Sequence, residues 1–207
     1  MNPVGWWLVL PLAWLLGTVP FSYLLPRWFT GRDVRSLGSR NVGATNAART
    51  AGKLIGACCV LLDAGKGALA ILLAESLGAS LPVAVAAALL ALVGHGHSPW
   101  LRGAGGKGVS TTAGALLTFS PAGAAVVLLI WIALLAATRT VSVASIGAAA
   151  AMPLALWLGN LGVGPWPVPL PVVVFGGLAG PWIIFRHRDN MKRLRLGQEP
   201  RIGTVQP

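Results

Sequence analysis

Three polar segments carry most of the groups that could do chemistry in this 207-residue chain. The first, Gly38-Ser39-Arg40-Asn41-Val42-Gly43-Ala44-Thr45-Asn46 with Arg49 behind it, mixes small residues with hydroxyl, amide and guanidinium donors. Small residues let a backbone approach a ligand closely, and donors of these kinds suit phosphate oxygens. The second runs from Gly94-His95 to Gly105-Gly106-Lys107-Gly108 and on into Ser110, Thr111 and Thr112. A glycine run with a lysine, entering an apolar helix, offers exposed N–H groups, a helix N-terminus and a point charge, which is the physics of a phosphate loop. No Gly-x4-Gly-Lys-Ser/Thr arrangement occurs, so an ATPase is a poor reading. The third, His187-Arg188-Asp189-Asn190-Met191-Lys192-Arg193-Leu194-Arg195-Leu196-Gly197, joins an imidazole that titrates near neutrality to a cationic run. Each segment also has a plain explanation: a polar turn, a basic loop, a stop-transfer anchor on anionic headgroups.

Metal and redox chemistry find little support. His95, His97 and His187 are scattered, no Cys and His cluster has zinc spacing, and adjacent Cys58 and Cys59 are poorly placed for a mutual disulfide. No metal or cofactor is expected.

The elements that must position these segments are apolar. Sixteen Lys and Arg stand against five Asp and Glu, for a formal charge of +11, yet 55% of the residues are hydrophobic and the mean hydropathy is +0.73. Residues 1 to 26, 76 to 101, 108 to 138 and 140 to 185 contain no Lys, Arg, Asp or Glu. Uncharged apolar runs of about 20 residues are bilayer-crossing lengths, which argues against a soluble, basic nucleic-acid binder. The first 26 residues lack a basic n-region and a small-residue cleavage pattern, and read as a retained span. The expected fold is an all-α, polytopic helical membrane protein of about seven spans, some short, with candidates at 4 to 25, 54 to 76, 81 to 96, 108 to 119, 121 to 138, 140 to 159 and 168 to 186. A count of five keeps the same two ends. Every basic connection then falls on one side, which the positive-inside rule makes cytoplasmic, with the N-terminus outside and the C-terminus cytoplasmic. One membrane-embedded domain over 1 to 207 is expected, with cytoplasmic motif segments near 27 to 53, 95 to 108 and 186 to 207. Asp63 and Lys66 interrupt the second tract three residues apart, on one helical face. They read equally as an internal ion pair or as a contribution to a site.

Order and spacing of these pieces resemble the bacterial acyl-phosphate:glycerol-3-phosphate acyltransferases, the PlsY family. The resemblance covers nearly the whole chain: Gly17-Thr18-Val19-Pro20-Phe21, the segment from Gly38 to Asn46 with Arg49, Asp63 with Lys66-Gly67, His95 with Gly105-Gly106-Lys107-Gly108-Val109, and His187 to Arg193. Three departures stand out: Arg40 replaces a common glycine, Pro99 comes one position late, and Gln198 replaces a common threonine before Glu199. The resemblance implies transfer of a fatty acyl group from acyl phosphate to the 1-hydroxyl of sn-glycerol 3-phosphate, giving lysophosphatidic acid and phosphate in bacterial phospholipid synthesis. It implies the inner membrane as the location, with the site on its cytoplasmic face. Expected partners are glycerol 3-phosphate, long-chain acyl phosphate and membrane lipids, with functional coupling to the enzyme that makes acyl phosphate and no role for nucleic acid.

Within that reading Lys107, His187 and Ser39 are the expected catalytic residues. Substrate binding falls to Ser39, Asn41, Gly43, Thr45, Asn46, Arg49, His95, Gly105, Gly106, Lys107 and Asn190. Arg49, Lys107, Ser39 and Asn190 would hold a phosphate, and Lys107 with glycine N–H groups would stabilise charge on the leaving phosphate and the reacting carbonyl oxygen. The hydroxyl proton has two candidate acceptors, His187 and a substrate phosphate oxygen. A His-x4-Asp pattern is absent, since Trp100, Arg102 and Lys192 stand five places after the three histidines. That disfavours an acyl-CoA enzyme of the soluble-headed class. The competing reading is a small transporter or channel for an anionic metabolite, which calls for midplane charges and often an internal repeat. Only Asp63 and Lys66 approach the first requirement, and no repeat is visible.

Overall fold

The computed structural model describes residues 6–163 and 167–203. The start of the first expected span at residue 4, part of the connection near 160 to 167 and the last residues of the 186 to 207 segment lie outside the described residues. Among the described residues all regular structure is helical: α1 (Trp6–Thr18), α2 (Phe21–Thr30), α3 (Ala44–Ala51), α4 (Lys53–Ser76), α5 (Leu81–Gly96), α6 (Val109–Phe119), α7 (Pro121–Thr138), α8 (Val141–Asn160), α9 (Leu170–Arg186) and α10 (Arg188–Arg195), with a 3₁₀ turn at Pro99–Leu101. Five segments are long and apolar enough to cross a bilayer, Trp7–Thr30, Lys53–Ser76, Leu81–Leu101, Pro121–Thr138 and Val141–Asn160. A sixth would be α9 with α10, bent by 52°. The expected spans thus resolve into five, or six with the bent pair. The 108 to 119 tract is the one that falls out: α6 has 11 residues, about 16 Å of rise, half a hydrocarbon core.

Local chemistry sets several boundaries. Pro20 carries no N–H to continue α1, so the first span breaks at Val19-Pro20 and restarts at Phe21. The freed groups are satisfied from elsewhere: Ser98 Oγ donates to the Thr18 carbonyl (2.6 Å), and Trp100 Nε1 donates to Thr18 Oγ1 (3.0 Å). A broken helix at membrane depth is tolerated where neighbours supply such bonds. Helix α7 opens on Pro121 at its first position, with Ser120 Oγ accepting from Gly123 N (3.2 Å).

Two compact units divide the chain, Met1–Thr118 and Phe119–Pro207. In the first, α1 packs along α5 and against α4, and glycines set the spacing. A Cβ on Gly17 would lie 2.6 Å from Ala91 Cα, and one on Gly94 3.0 Å from Thr18 N. Lipid supplies no hydrophobic drive between helices, so close backbone approach over small residues carries their association. In the second unit α8 packs between α7 and α9. Trp131 Nε1 donates to Ser145 Oγ (3.1 Å), and Phe119 meets Phe175 edge-on at 5.5 Å. Outward faces are apolar in both, with Leu54, Leu61, Leu129 and Leu154 exposed, as a lipid-facing surface requires.

Candidate active site

Asn46 organises the first polar segment. Buried at the start of α3, its Nδ2 donates to the carbonyls of Val34 (2.8 Å), Leu37 (3.1 Å) and Asn41 (3.1 Å), while its Oδ1 accepts from Ser39 N (2.9 Å). One amide side chain thereby folds residues 34 to 41 into a closed loop and turns Ser39 inward at half burial. Val34, Val42 and Ala47 anchor the loop in a small core with Cys59 and Leu101, and the Arg32 guanidinium donates to the Thr50 carbonyl. Arg49 lies in the last turn of α3 and Thr45 in its first, both exposed, while Asn41 and Gly43, just before the helix, are half-buried. Arg40 sits at φ 57°, in the left-handed region that costs an L-residue roughly 1–2 kcal/mol. The glycine common at this position in the resembling family is explained by that backbone angle.

The glycine loop is seated on the end of α5. Gly105 N donates to the Gly96 carbonyl (3.1 Å) and Gly106 N to the His95 carbonyl (3.1 Å), so the chain doubles back over the helix terminus before entering α6. Any side chain at Gly106 is excluded: a Cβ there would lie 2.6 Å from the Val42 carbonyl oxygen and 2.7 Å from His95 Cε1. Gly106 is therefore where the first and second polar segments meet. Lys107 follows at half burial, one residue before Gly108 and the first turn of α6.

Beneath this loop lies a buried polar cluster that sequence reasoning found only in part. Asp63 and Lys66 form the expected ion pair, Nζ to Oδ1 at 2.9 Å, with side chains 2% and 1% exposed. Lys66 also donates to the Val19 carbonyl (3.0 Å), at the break in the first span, and Ser22 Oγ donates to Asp63 Oδ2 (2.7 Å). His95 Nδ1 faces Asp63 Oδ1 at 3.6 Å. The carboxylate and histidine pairing is invisible in the sequence, where the two lie in different helices. Ser22 was missed as well; its only signal is a hydroxyl in a charge-free span beside a proline break.

In the second unit, the 52° bend between α9 and α10 falls at His187. His187 is buried and its Nδ1 lies 2.8 Å from the Ile183 carbonyl. A carbonyl can only accept, so the proton resides on Nδ1 and Nε2 is the basic nitrogen of the neutral ring. One turn later Asn190 Nδ2 donates to Glu199 Oε1 (2.6 Å), and Arg193 Nε donates to Glu199 Oε2 (2.7 Å). Glu199 had no role in the sequence reading, although a lone acid inside a basic tail was the available hint. Burial alone would raise its carboxyl, but the Asn190, Ser142 and Arg193 side chains outweigh that and hold it below its ordinary value. Among the described residues no group of three or more His, Cys, Asp or Glu is placed to hold a metal ion.

Of the expected site residues, Ser39, Asn41, Gly43, Thr45, Asn46, Arg49, His95, Gly105, Gly106 and Lys107 belong to two segments that the first unit brings into contact at Gly106. His187 and Asn190 share one turn of the second unit. The family model for glycerol-3-phosphate acyltransferase matches residues 7–197. The "Glycerol-3-phosphate acyltransferase 2" of Moorella thermoacetica is 43% identical over 199 residues, covering 96% of this chain and 98% of the relative. A glycerol-3-phosphate acyltransferase of a Synechococcus strain is 42% identical, with 92% of each chain covered. Crystal structures of PlsY, an integral membrane glycerol 3-phosphate acyltransferase, superpose with TM-scores of 0.85 for its glycerol 3-phosphate form and 0.81 for its lysophosphatidic acid form. These share 35% and 33% identity with this chain, and each comparison covers 96% of both chains. With five or six helices long and apolar enough to cross a membrane among the described residues, and a glycine and lysine loop packed against the Ser39 to Asn46 segment, this chain belongs to the glycerol-3-phosphate acyltransferase family.

Proposed function

We propose that this chain transfers a fatty acyl group from acyl phosphate to the 1-hydroxyl of sn-glycerol 3-phosphate, at the cytoplasmic face of a bacterial inner membrane. The observation that carries the reading is the contact at Gly106, which joins Lys107 and the start of α6 to the segment bearing Ser39 and, on the following helix, Arg49. Such an arrangement suits a phosphate, and apolar helices on either side suit an acyl chain. Asn41, Gly43 and Thr45 line the same loop, whereas Asn46 and His95 act by shaping it.

The chemistry needs no covalent enzyme intermediate, because acyl phosphate is already activated. The glycerol hydroxyl oxygen attacks the acyl carbonyl carbon; a new C–O ester bond forms, the bond from that carbon to the phosphate oxygen breaks, and phosphate leaves with the electron pair. Lys107 stabilises the carbonyl oxygen and the departing phosphate, and Arg49 and Ser39 hold phosphate oxygens. The hydroxyl proton passes to a substrate phosphate oxygen or to His187, whose Nδ1–H tautomer presents a basic Nε2.

Purified protein in detergent, given long-chain acyl phosphate and glycerol 3-phosphate, should release phosphate and form lysophosphatidic acid in equal amounts. Absence of acyl transfer by a folded preparation rejects the reading. Lys107→Ala should lower kcat by about 10²- to 10³-fold, the range for removing one preorganised donor at a developing charge. His187→Gln with near-normal turnover would assign the proton to the substrate; loss of turnover with binding intact would assign it to His187.

A further inference from the structure

We propose that Asp63 is a positioning residue that, through His95, holds the glycine loop in the geometry that binds phosphate; this rests on the acyltransferase reading above. The ordinary function of a carboxylate one turn from a buried lysine is to neutralise it. Three observations go beyond that. First, Asp63 faces three elements besides its own charge partner's: Ser22 of α2 at 2.7 Å, His95 of α5 at 3.6 Å and, through Lys66, the Val19 carbonyl. Second, the imidazole it faces is the surface on which the loop rests, because the space beside Gly106 is filled by the ring of His95 on one side and the Val42 carbonyl on the other. Third, the backbone carbonyl of the same histidine accepts the Gly106 N–H, so the loop is tied to the residue whose ring also forms its floor. The Asp63 carboxylate, 3.6 Å from Nδ1, favours this orientation of the ring electrostatically and so supports the contact between the two polar segments from below. Outer partners that orient a functional histidine act in this way in metal sites, and the physics needs no metal.

The competing account, a bare counter-charge for Lys66, makes different predictions. In Asp63→Asn/Lys66→Met both buried charges vanish together, so no unpaired ion remains to unfold the helix. Purified in detergent, this variant should keep a thermal midpoint close to the native one, yet lose about 10- to 100-fold in kcat/KM, the scale for sub-ångström to 1 Å misplacement of a binding group. Amide hydrogen exchange at Gly105 and Gly106 should quicken, while exchange in the middle of α4 stays protected. His95→Ala, which leaves the ion pair intact, should give the same loosening at those two amides. Adding it to the double variant should cost less than about twofold more, because both act through one contact. Native kcat/KM and native exchange at Gly105 and Gly106 in the double variant would overturn the proposal, as would fully additive losses. Should the native protein transfer no acyl group, the proposed function fails on its own, and the exchange rates of the two glycine amides still decide whether Asp63 holds the loop.

Discussion

Asp63 and Glu199 are two of the five acidic residues, each buried beside a cation and a candidate site residue, but they hold their neighbours by different means. Asp63 lies inside a 24-residue apolar helix with its side chain 2% exposed, hydrogen-bonded by Ser22, paired with Lys66 and faced by His95, so two other helices meet at it. Glu199 lies beyond the last helix, and its partners Asn190 and Arg193 are nine and six residues away along the same chain. One carboxylate therefore ties three helices together within the first unit, while the other closes a latch at the end of the second, with Ser142 at the start of α8 as its one distant neighbour. Both keep a histidine or an amide in place, which explains how so few acids serve a chain of this charge.

Breaking the two carboxylates should separate global from local dependence. Asp63→Leu, which strands Lys66, should cost on the order of 3–5 kcal/mol, the range for removing one partner of a buried pair, and should depress the thermal midpoint in detergent steeply. A native midpoint in that variant would mean that the cluster holds nothing together. Glu199→Gln should cost less, about 1.5–3 kcal/mol for charge-assisted bonds, with disorder confined to residues near 190 to 201 when followed by hydrogen exchange. Its pH dependence has a definite sign. The folded carboxyl is held below its ordinary value of 4.5, so its stabilisation is fully present above that value and is lost as the pH falls through the lower folded value. Glu199→Gln should flatten the acid limb of a stability profile, and an unchanged limb would remove the latch from the account.

Smaller effects sharpen the contrast. Arg40→Gly should stabilise the first loop by about 1 kcal/mol by relieving the left-handed backbone, seen as a modest rise in thermal midpoint without loss of acyl transfer. Smallest of all should be Asp33→Asn. The Asp33 carboxylate is held below its usual range chiefly by hydrogen bonds from the Arg35 guanidinium, at 2.7 Å, and Arg35 stacks 4.7 Å from the Tyr23 ring, but the pair is largely exposed. Its loss should cost below about 1 kcal/mol and shrink further at high salt, measured by denaturation at two ionic strengths. A large effect there would erase the distinction between buried and exposed carboxylates.

Much of the architecture was legible because bilayer residence imposes a coarse code. Charge-free tracts became helices, Ser120-Pro121 opened α7, and Asp63 paired with Lys66 as their three-residue spacing requires. The 108 to 119 tract was readable as apolar, but 11 residues give a helix too short to cross, and length there is fixed by the loop before it and the proline after it. Residue types in the first polar segment announced phosphate chemistry, yet they could not show that Asn46 turns its amide onto four groups of its own loop. Nor could they show that Arg40 occupies a left-handed angle, since its side chain advertises only charge.

Sequence alone determined the helical class, the positions of the charged connections and the residue types available to bind an anion, because each follows from composition and short-range periodicity. Tertiary structure alone decided that His95 would face Asp63, that Ser22 would join them, and that Gly106 would be pressed between an imidazole and the Val42 carbonyl. Those contacts join residues from separate helices, and their distances depend on how closely glycine-lined helices approach one another, a quantity no local pattern encodes.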